Sequence, residues 1–235
     1  LRDYAERQPD HPTHLSAHPP GMTVLLWAED RVGVGGTAGE VGLSMLGVAA
    51  AAAAVLIALR ELADEDRARA AAAFVVVAPA AVWHTNADVV FGGIALSGLA
   101  LVVVATGRRG RSATRWAVGG GALMGTAMLF SHGLALMAVA VLPVLVARRR
   151  WDVGLWAAVG TLGALALPMA WGYSWISGLA ATKEVYDDNL ARVRPYGYFV
   201  VANLAAFAVA VGPATAVALA RLRHLGTWLL VGGGL

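Results

Sequence analysis

Cysteine is absent from the 235 residues, which removes both a disulfide framework and any thiolate metal site. Charge is scarce: Asp, Glu, Lys and Arg make up 14% of the chain, well below the level of an ordinary soluble domain. A phosphate-cradling glycine-rich loop between a strand and a helix is also missing, because Gly119-Gly120-Gly121 falls inside an apolar segment. No carboxylate stands at the centre of an apolar run, Glu40 being near an end, and no inverted repeat is visible. Those are the marks expected of a transporter or permease, which is therefore only an alternative reading, beside a membrane scaffold without catalysis.

Apolar residues are what the chain has instead. They make up 58% of it, and the mean hydropathy is +0.65. Runs rich in Ala, Val, Leu and Gly recur from Val41 onward, broken by short charged clusters. This predicts an all-α, polytopic transmembrane helical bundle. Pro79, Pro143, Pro168 and Pro213 are compatible with it, since neighbouring helices satisfy the freed backbone groups.

Residues 1–36 read as an outer loop carrying a short interfacial helix from Met22 to about Ala28. Residues 37–235 read as a transmembrane domain of about seven spans, the last incomplete. The first span is expected over Gly39–Leu59, followed by a charged turn from Arg60 to Arg69. Ala70–Val82 and Val89–Thr106 are expected as two half-helices around the polar break 83–88. Trp116–Phe130 and Leu134–Ala147 form a similar pair around Ser131-His132-Gly133. A span over Val153–Trp171, a loop from Gly172 to Tyr196 and a helix over Gly197–Ala220 complete the series. Leu1 is not an initiator Met, Leu1–Arg7 reads as the middle of an amphipathic helix, and Thr227–Leu235 is too short to cross a bilayer. The chain is therefore expected to be a fragment lacking its first span and its C-terminal part.

The sequence pI near 9.7 does not imply nucleic acid, because the basic residues sit at span ends, where they set topology. Arg60, Arg67, Arg69, Arg108, Arg109, Arg111, Arg115, Arg148, Arg149, Arg150, Arg221 and Arg223 fall on one side. Arg2, Arg7, Arg31, Lys183, Arg192 and Arg194 fall on the other. Twelve against six places the first set in the cytoplasm of a plasma-membrane protein. The Thr13–Gly21 stretch, the His84–Asp88 turn, Ser131-His132 and the Gly172–Tyr196 loop then all face outward.

Thr13-His14-Leu15-Ser16-Ala17-His18-Pro19-Pro20-Gly21 concentrates two histidines beside a rigid turn ahead of the apolar segments. His14 and His18 are four apart, a metal-pair spacing on a helix, but the prolines oppose a helix there and no metal site is assigned. Asp88 suits an N-cap for the helix beginning at Val89, Asp30-Arg31 a local ion pair and His132 a polar cap. The many glycines and the Ala49–Ala54 run suit close helix packing.

These residues carry a resemblance. His18-Pro19-Pro20 after a polar first loop, Thr85-Asn86-Ala87-Asp88 before a span, and Arg194-Pro195-Tyr196-Gly197-Tyr198 at a loop-to-helix junction resemble the GT-C superfamily of membrane glycosyltransferases. Within it the chain is most similar to the branch of protein O-mannosyltransferases and aminoarabinose transferases, and there to uncharacterised actinobacterial membrane proteins. The resemblance implies transfer of a sugar from a polyprenyl-phosphate donor to an acceptor on the outer face, with inversion at the anomeric carbon. Such chemistry needs a carboxylate to take the acceptor proton and cations to stabilise the leaving phosphate. That carboxylate is expected before Leu1, and Asp3, Glu6 and Asp10 do not match its position. The resemblance makes His14, His18, Asp88, Arg192, Arg194 and Tyr196 the candidate donor and substrate contacts. Arg192 and Arg194, flanked by Tyr186, Tyr196 and Tyr198, fit a donor phosphate or anionic lipid headgroups at the membrane surface. No cofactor is implied, and the expected partners are the lipid-linked donor and the membrane itself.

Overall fold

The structure is a computed structural model that describes residues 1–11, 13–76, 86–190, 193 and 195–220. Every regular element among the described residues is helical. The N-terminal stretch holds three short helices: α1 (Tyr4–Arg7), within the stretch read as amphipathic helix, α2 (Thr13–Ser16), where loop was expected, and α3 (Gly21–Arg31), which contains the helix expected over Met22–Ala28. Thr13–Ser16 forms a single turn, stopped ahead of Pro19-Pro20, which restrict the residues before them. Asp30 and Arg31 do not pair as expected. The Arg31 guanidinium lies over the Trp27 ring instead, 5.1 Å from its centroid.

The body consists of α4 (Thr37–Leu62), α5 (Glu65–Val76), α6 (Ala87–Thr106), α7 (Gly110–Met128), α8 (Met137–Arg148) and α9 (Trp151–Ala166), with α9 continuing into a 3-10 turn over Leu167–Trp171. Among the described residues three stretches are long and apolar enough to cross a membrane: Thr37–Leu62, Ala87–Thr106 and Trp151–Trp171. Ala87–Thr106 is by itself long and apolar enough to cross a membrane, more than the half-helix expected over Val89–Thr106. The apolar stretch of α6 is 61% buried, against 17% for α4 and 22% for the α9 stretch, so α6 is the central helix. The other two expose Met45, Leu46, Leu155 and Leu162, side chains that suit a hydrocarbon solvent.

Helix directions follow from who meets whom. Gly47 of α4 lies against Val89, Val90 and Gly93 at the start of α6, while Glu61 lies beside Arg108 just past its end. The two helices are therefore parallel. Gly98 meets Met124 and Gly120 meets Val102, so α7 runs antiparallel to α6. Gly121 faces Ala157 and Gly125 faces Thr161, so α9 runs parallel to α7. At these crossings a glycine lets backbones touch, which is how helices gain van der Waals contact where apolar solvent gives no hydrophobic drive. An ideal Cβ at Gly121 would sit 1.8 Å from the Ala157 carbonyl oxygen, so no larger residue fits without moving a helix. Val102, Ala105, Ala117, Val141, Leu145 and Val153 fill the space between α6, α7, α8 and α9.

Residues 172–190 are not the expected open loop. Tyr173, 1% exposed, is followed by α10 (Trp175–Val185), whose start is capped by Ser174, and by a π-turn over Tyr186–Leu190. The last helix, α11 (Tyr196–Ala220), is interrupted at Gly212, where φ is 73°.

Candidate functional site

The helix directions give the bundle two ends. One collects the C-termini of α4, α6 and α8. The other collects the end of α7, the α7–α8 turn, the end of α9, α10 and the N-terminal helices, and it holds most of the residues that carry chemistry.

His18 is fixed by its neighbours at this second end. Its Nδ1–H donates to the Phe130 carbonyl at 3.3 Å, leaving Nε2 as the second functional atom of the ring. Its own carbonyl accepts from the Tyr4 hydroxyl at 3.3 Å and from Gln8 Nε2 at 3.4 Å. Pro19 and Pro20 are buried, and the Gly21 N–H donates to the Leu129 carbonyl at 2.7 Å. A Cβ on Gly21 would lie 2.4 Å from that oxygen, so only glycine lets α3 approach the end of α7 this closely. The His-Pro-Pro-Gly element is a docked joint.

Behind it lies a second tier. Gln8, fully buried, donates through Nε2 to Thr182 Oγ1 at 2.8 Å. That hydroxyl donates onward to the Gly178 carbonyl at 2.9 Å, so it accepts from His132 Nδ1–H at 3.4 Å. The His132 ring packs on Trp175 with centroids 5.2 Å apart, and Trp175 Nε1–H donates to the Met128 carbonyl at 3.0 Å. Burial, followed by the nearby His18, lowers the His132 pKa to about 4, with the Trp175 backbone carbonyl, as an acceptor for the ring, opposing. Tyr4 stacks on His11 at 5.3 Å and meets Tyr173 edge-on at 5.9 Å. Burial, and then Tyr4, push the Tyr173 hydroxyl above the ordinary phenol range. Gln8 Oε1, His11 Nε2, His132 Nε2 and the Tyr173 hydroxyl are buried without a hydrogen-bond partner among the described residues. Buried polar atoms are normally satisfied, so four in one region mark a place suited to polar ligand atoms or water.

Two cavities adjoin this tier. An apolar one of about 820 Å³ lies between α3 and the ends of α7 and α9, lined by Val24, Trp27, Leu129, Phe130, Pro168 and Trp171 among others. A polar one of about 620 Å³ is lined by Arg2, Asp3, Tyr4, Arg7, His11 and Trp171. Leu1, Thr23 and Trp171 line both.

The expected site residues fall into three groups. His18 is part of the network. Asp88 is exposed in the first turn of α6, at the same end by the direction of that helix, but it is not the cap: Asn86 is, accepting from the Val89 N–H at 3.1 Å. Phe91, one turn beyond Asp88, lies 6.2 Å from the ring of Phe130, the residue His18 holds. Tyr196 is 85% exposed at the start of α11. The side chain of His14, and all of His84, Thr85, Arg192 and Arg194, lie outside the described residues. Among the described residues no group of three or more metal-ligating side chains gathers. Tyr4, Gln8, His11, Tyr173 and Thr182 were not legible as site residues. Only the amphipathic reading of Leu1–Arg7 pointed toward any of them, and it showed a face without its partner.

No family model, no curated protein and no solved structure matches the chain.

Proposed function

We propose that the chain is the membrane-embedded part of a GT-C-like glycosyltransferase that takes its sugar from a polyprenyl-phosphate donor at the outer face of the plasma membrane. In this reaction an acceptor hydroxyl oxygen bonds to the anomeric carbon and the bond to the donor phosphate breaks. The phosphate leaves with the electron pair, and the acceptor proton passes to a carboxylate. The observation that carries the reading is the junction of two cavities, one apolar and one polar, beside a network of His18, His132, Gln8 and Tyr173 with unpartnered buried atoms. A lipid-linked sugar has that division: a hydrocarbon tail, an anionic link and a head rich in hydroxyl donors. The outward assignment of this end rests on the arginine asymmetry, and Arg192 and Arg194, outside the described residues, remain candidate phosphate ligands. Transport has less support. Among the described residues of the three membrane-length helices the buried polar side chains are Ser44 and Thr106, neither of them ionisable.

The test uses the full-length protein in proteoliposomes with a radiolabelled polyprenyl-phosphate sugar. Transfer to water or to an added acceptor is expected, and His18→Ala should lower it at least about tenfold, the scale of one removed polar contact to a charged transition state. Donor that stays intact at all protein concentrations, or a His18→Ala rate equal to that of the parent, overturns the reading.

A further inference from the structure

The polar cavity is cationic in a specific way. Arg2 and Arg7 line it from either end of α1, both are exposed, and neither forms an ion pair among the described residues. Asp3 shares the cavity, so these three side chains sum to one positive charge. Arg2 is set in place by Gly172, whose left-handed backbone (φ +85°) brings it under Arg2: a Cβ there would meet Arg2 Cγ at 2.8 Å and Cα at 2.9 Å. Leu1, Thr23 and Trp171 line both cavities, so the polar one adjoins the apolar one, and a ligand with an anionic head at Arg2 and Arg7 would have its tail beside Trp27 and Leu129.

We propose that the adjoining cavities are one site for an isoprenoid lipid phosphate, with the phosphate between Arg2 and Arg7 and the first isoprene units against Trp171, Trp27 and Leu129. The choice of an isoprenoid rests on the transferase reading. The choice of an anionic amphiphile rests on the geometry alone. Guanidinium groups offer planar, bidentate donors for phosphate oxygens. One apolar cavity adjoins the polar one, which matches one hydrocarbon chain rather than two. The one net positive charge matches a phosphodiester, which carries one negative charge, better than a monoester. A monoester approaches two charges at neutral pH and would meet the Asp3 carboxylate. Asp3 thereby sets the site to hold a sugar-bearing lipid more tightly than the bare lipid phosphate left after transfer.

The experiment places the full chain in phosphatidylcholine nanodiscs and measures binding of a photoreactive farnesyl phosphate, competed by unlabelled farnesyl phosphate or by phosphatidate. Arg2→Gln/Arg7→Gln should weaken labelling at least about tenfold, the scale of lost charge-assisted hydrogen bonds. Ala28→Trp, which fills the apolar cavity, should weaken it as well. Arg67→Gln/Arg69→Gln, at the other end, should not. Asp3→Asn should strengthen it. Equal labelling in Arg2→Gln/Arg7→Gln and parent, or competition by phosphatidate as strong as by farnesyl phosphate, overturns the proposal. The outcome separates from the transferase reading because no sugar is involved. Arginine-dependent binding without sugar transfer leaves the site standing and removes the transferase. Transfer that ignores Arg2→Gln/Arg7→Gln does the reverse.

Discussion

The two ends of the bundle treat their polar groups in opposite ways. At the arginine end the half-buried guanidinium groups, those of Arg148 and Arg150, are engaged. Arg148 donates to Thr106 Oγ1 at 2.8 Å and to the Glu61 carbonyl. Arg150 donates to the carbonyls of Thr106 at 2.8 Å and Arg108 at 2.6 Å, and pairs with both oxygens of Asp152. These guanidinium groups sit on the C-terminal carbonyls of α4 and α6, which lack helical partners and carry the negative pole of the helix dipole. Of the cations lining the 510 Å³ cavity, Arg108, Arg148 and Arg150 are thus already committed to the fold, and Arg109 is exposed. At the histidine end, Gln8, His11, His132 and Tyr173 each keep a buried atom without a partner. Arginine pairing there holds helices together; unpartnered atoms here leave capacity for a ligand. Polar residues thus divide into structure and candidate chemistry by whether their hydrogen bonds are complete.

The largest effect should come from a lesion between the ends, which erases the comparison. Gly121→Val forces a side chain into the Ala157 carbonyl and separates α7 from α9. Both ends depend on those helices, so stability should fall by about 3 kcal/mol and both should loosen together. Thermal unfolding in detergent, read by Trp175 fluorescence and by arginine-end cysteine accessibility in a tagged variant, checks this. Next comes Arg148→Ala, which removes a charged donor bridging α4, α6 and α8. A loss of about 2 kcal/mol is expected, with lipid-phosphate binding at the far end unchanged for whatever protein remains folded.

A third effect separates the ends by pH. The folded pKa of His132, about 4, lies below the unperturbed value of 6.5, so the fold favours the neutral ring. Between those values the unfolded chain binds more protons than the folded one. The histidine end is therefore fully stable above pH 6.5 and loses stability as pH falls from 6.5 toward 4, while the arginine end does not follow. Trp175 fluorescence titrated over that window should report the change, and His132→Gln should flatten it.

What the sequence made legible was what hydropathy and charge record directly. The first membrane-length helix, expected over Gly39–Leu59, runs Thr37–Leu62, and the central one differs from expectation by two residues at its start. The gathering of arginines at one end followed from their positions at span ends. Helix α10 was missed because Thr182, Lys183 and Glu184 give it a polar look, although Ser174 three residues before Ser177 is an N-cap signal that was present. The Arg2–Arg7 cavity was illegible for a different reason. It exists only because Gly172 brings the end of α9 against Arg2, a contact across most of the chain that no local pattern encodes. The cap of α6 shows the limit at its smallest scale. Asn86 and Asp88 are both good capping residues, and only the extended backbone at Asn86 (φ −127°, ψ 159°) decides between them.

That last choice gives the smallest structural effect and the sharpest test of the candidate chemistry. Asn86 satisfies the Val89 N–H, so Asn86→Ala should cost about 1 kcal/mol, the usual worth of an N-cap. Asp88 is exposed, caps nothing and makes no ion pair among the described residues, so its contribution to the fold is the favourable interaction of a carboxylate with a helix N-terminus. Asp88→Asn should therefore move stability by no more than about 0.5 kcal/mol. If Asp88 orients a substrate at the histidine end, the same change should lower sugar transfer at least about tenfold, a loss too large to come from so small a change in folding. Asn86→Ala is the control, since it perturbs the same turn more strongly without touching the carboxylate. Asp88→Asn that transfers sugar like the parent, or Asn86→Ala that loses as much transfer as Asp88→Asn, would return Asp88 to the scaffold and leave His18 as the described expected residue with a place in the site.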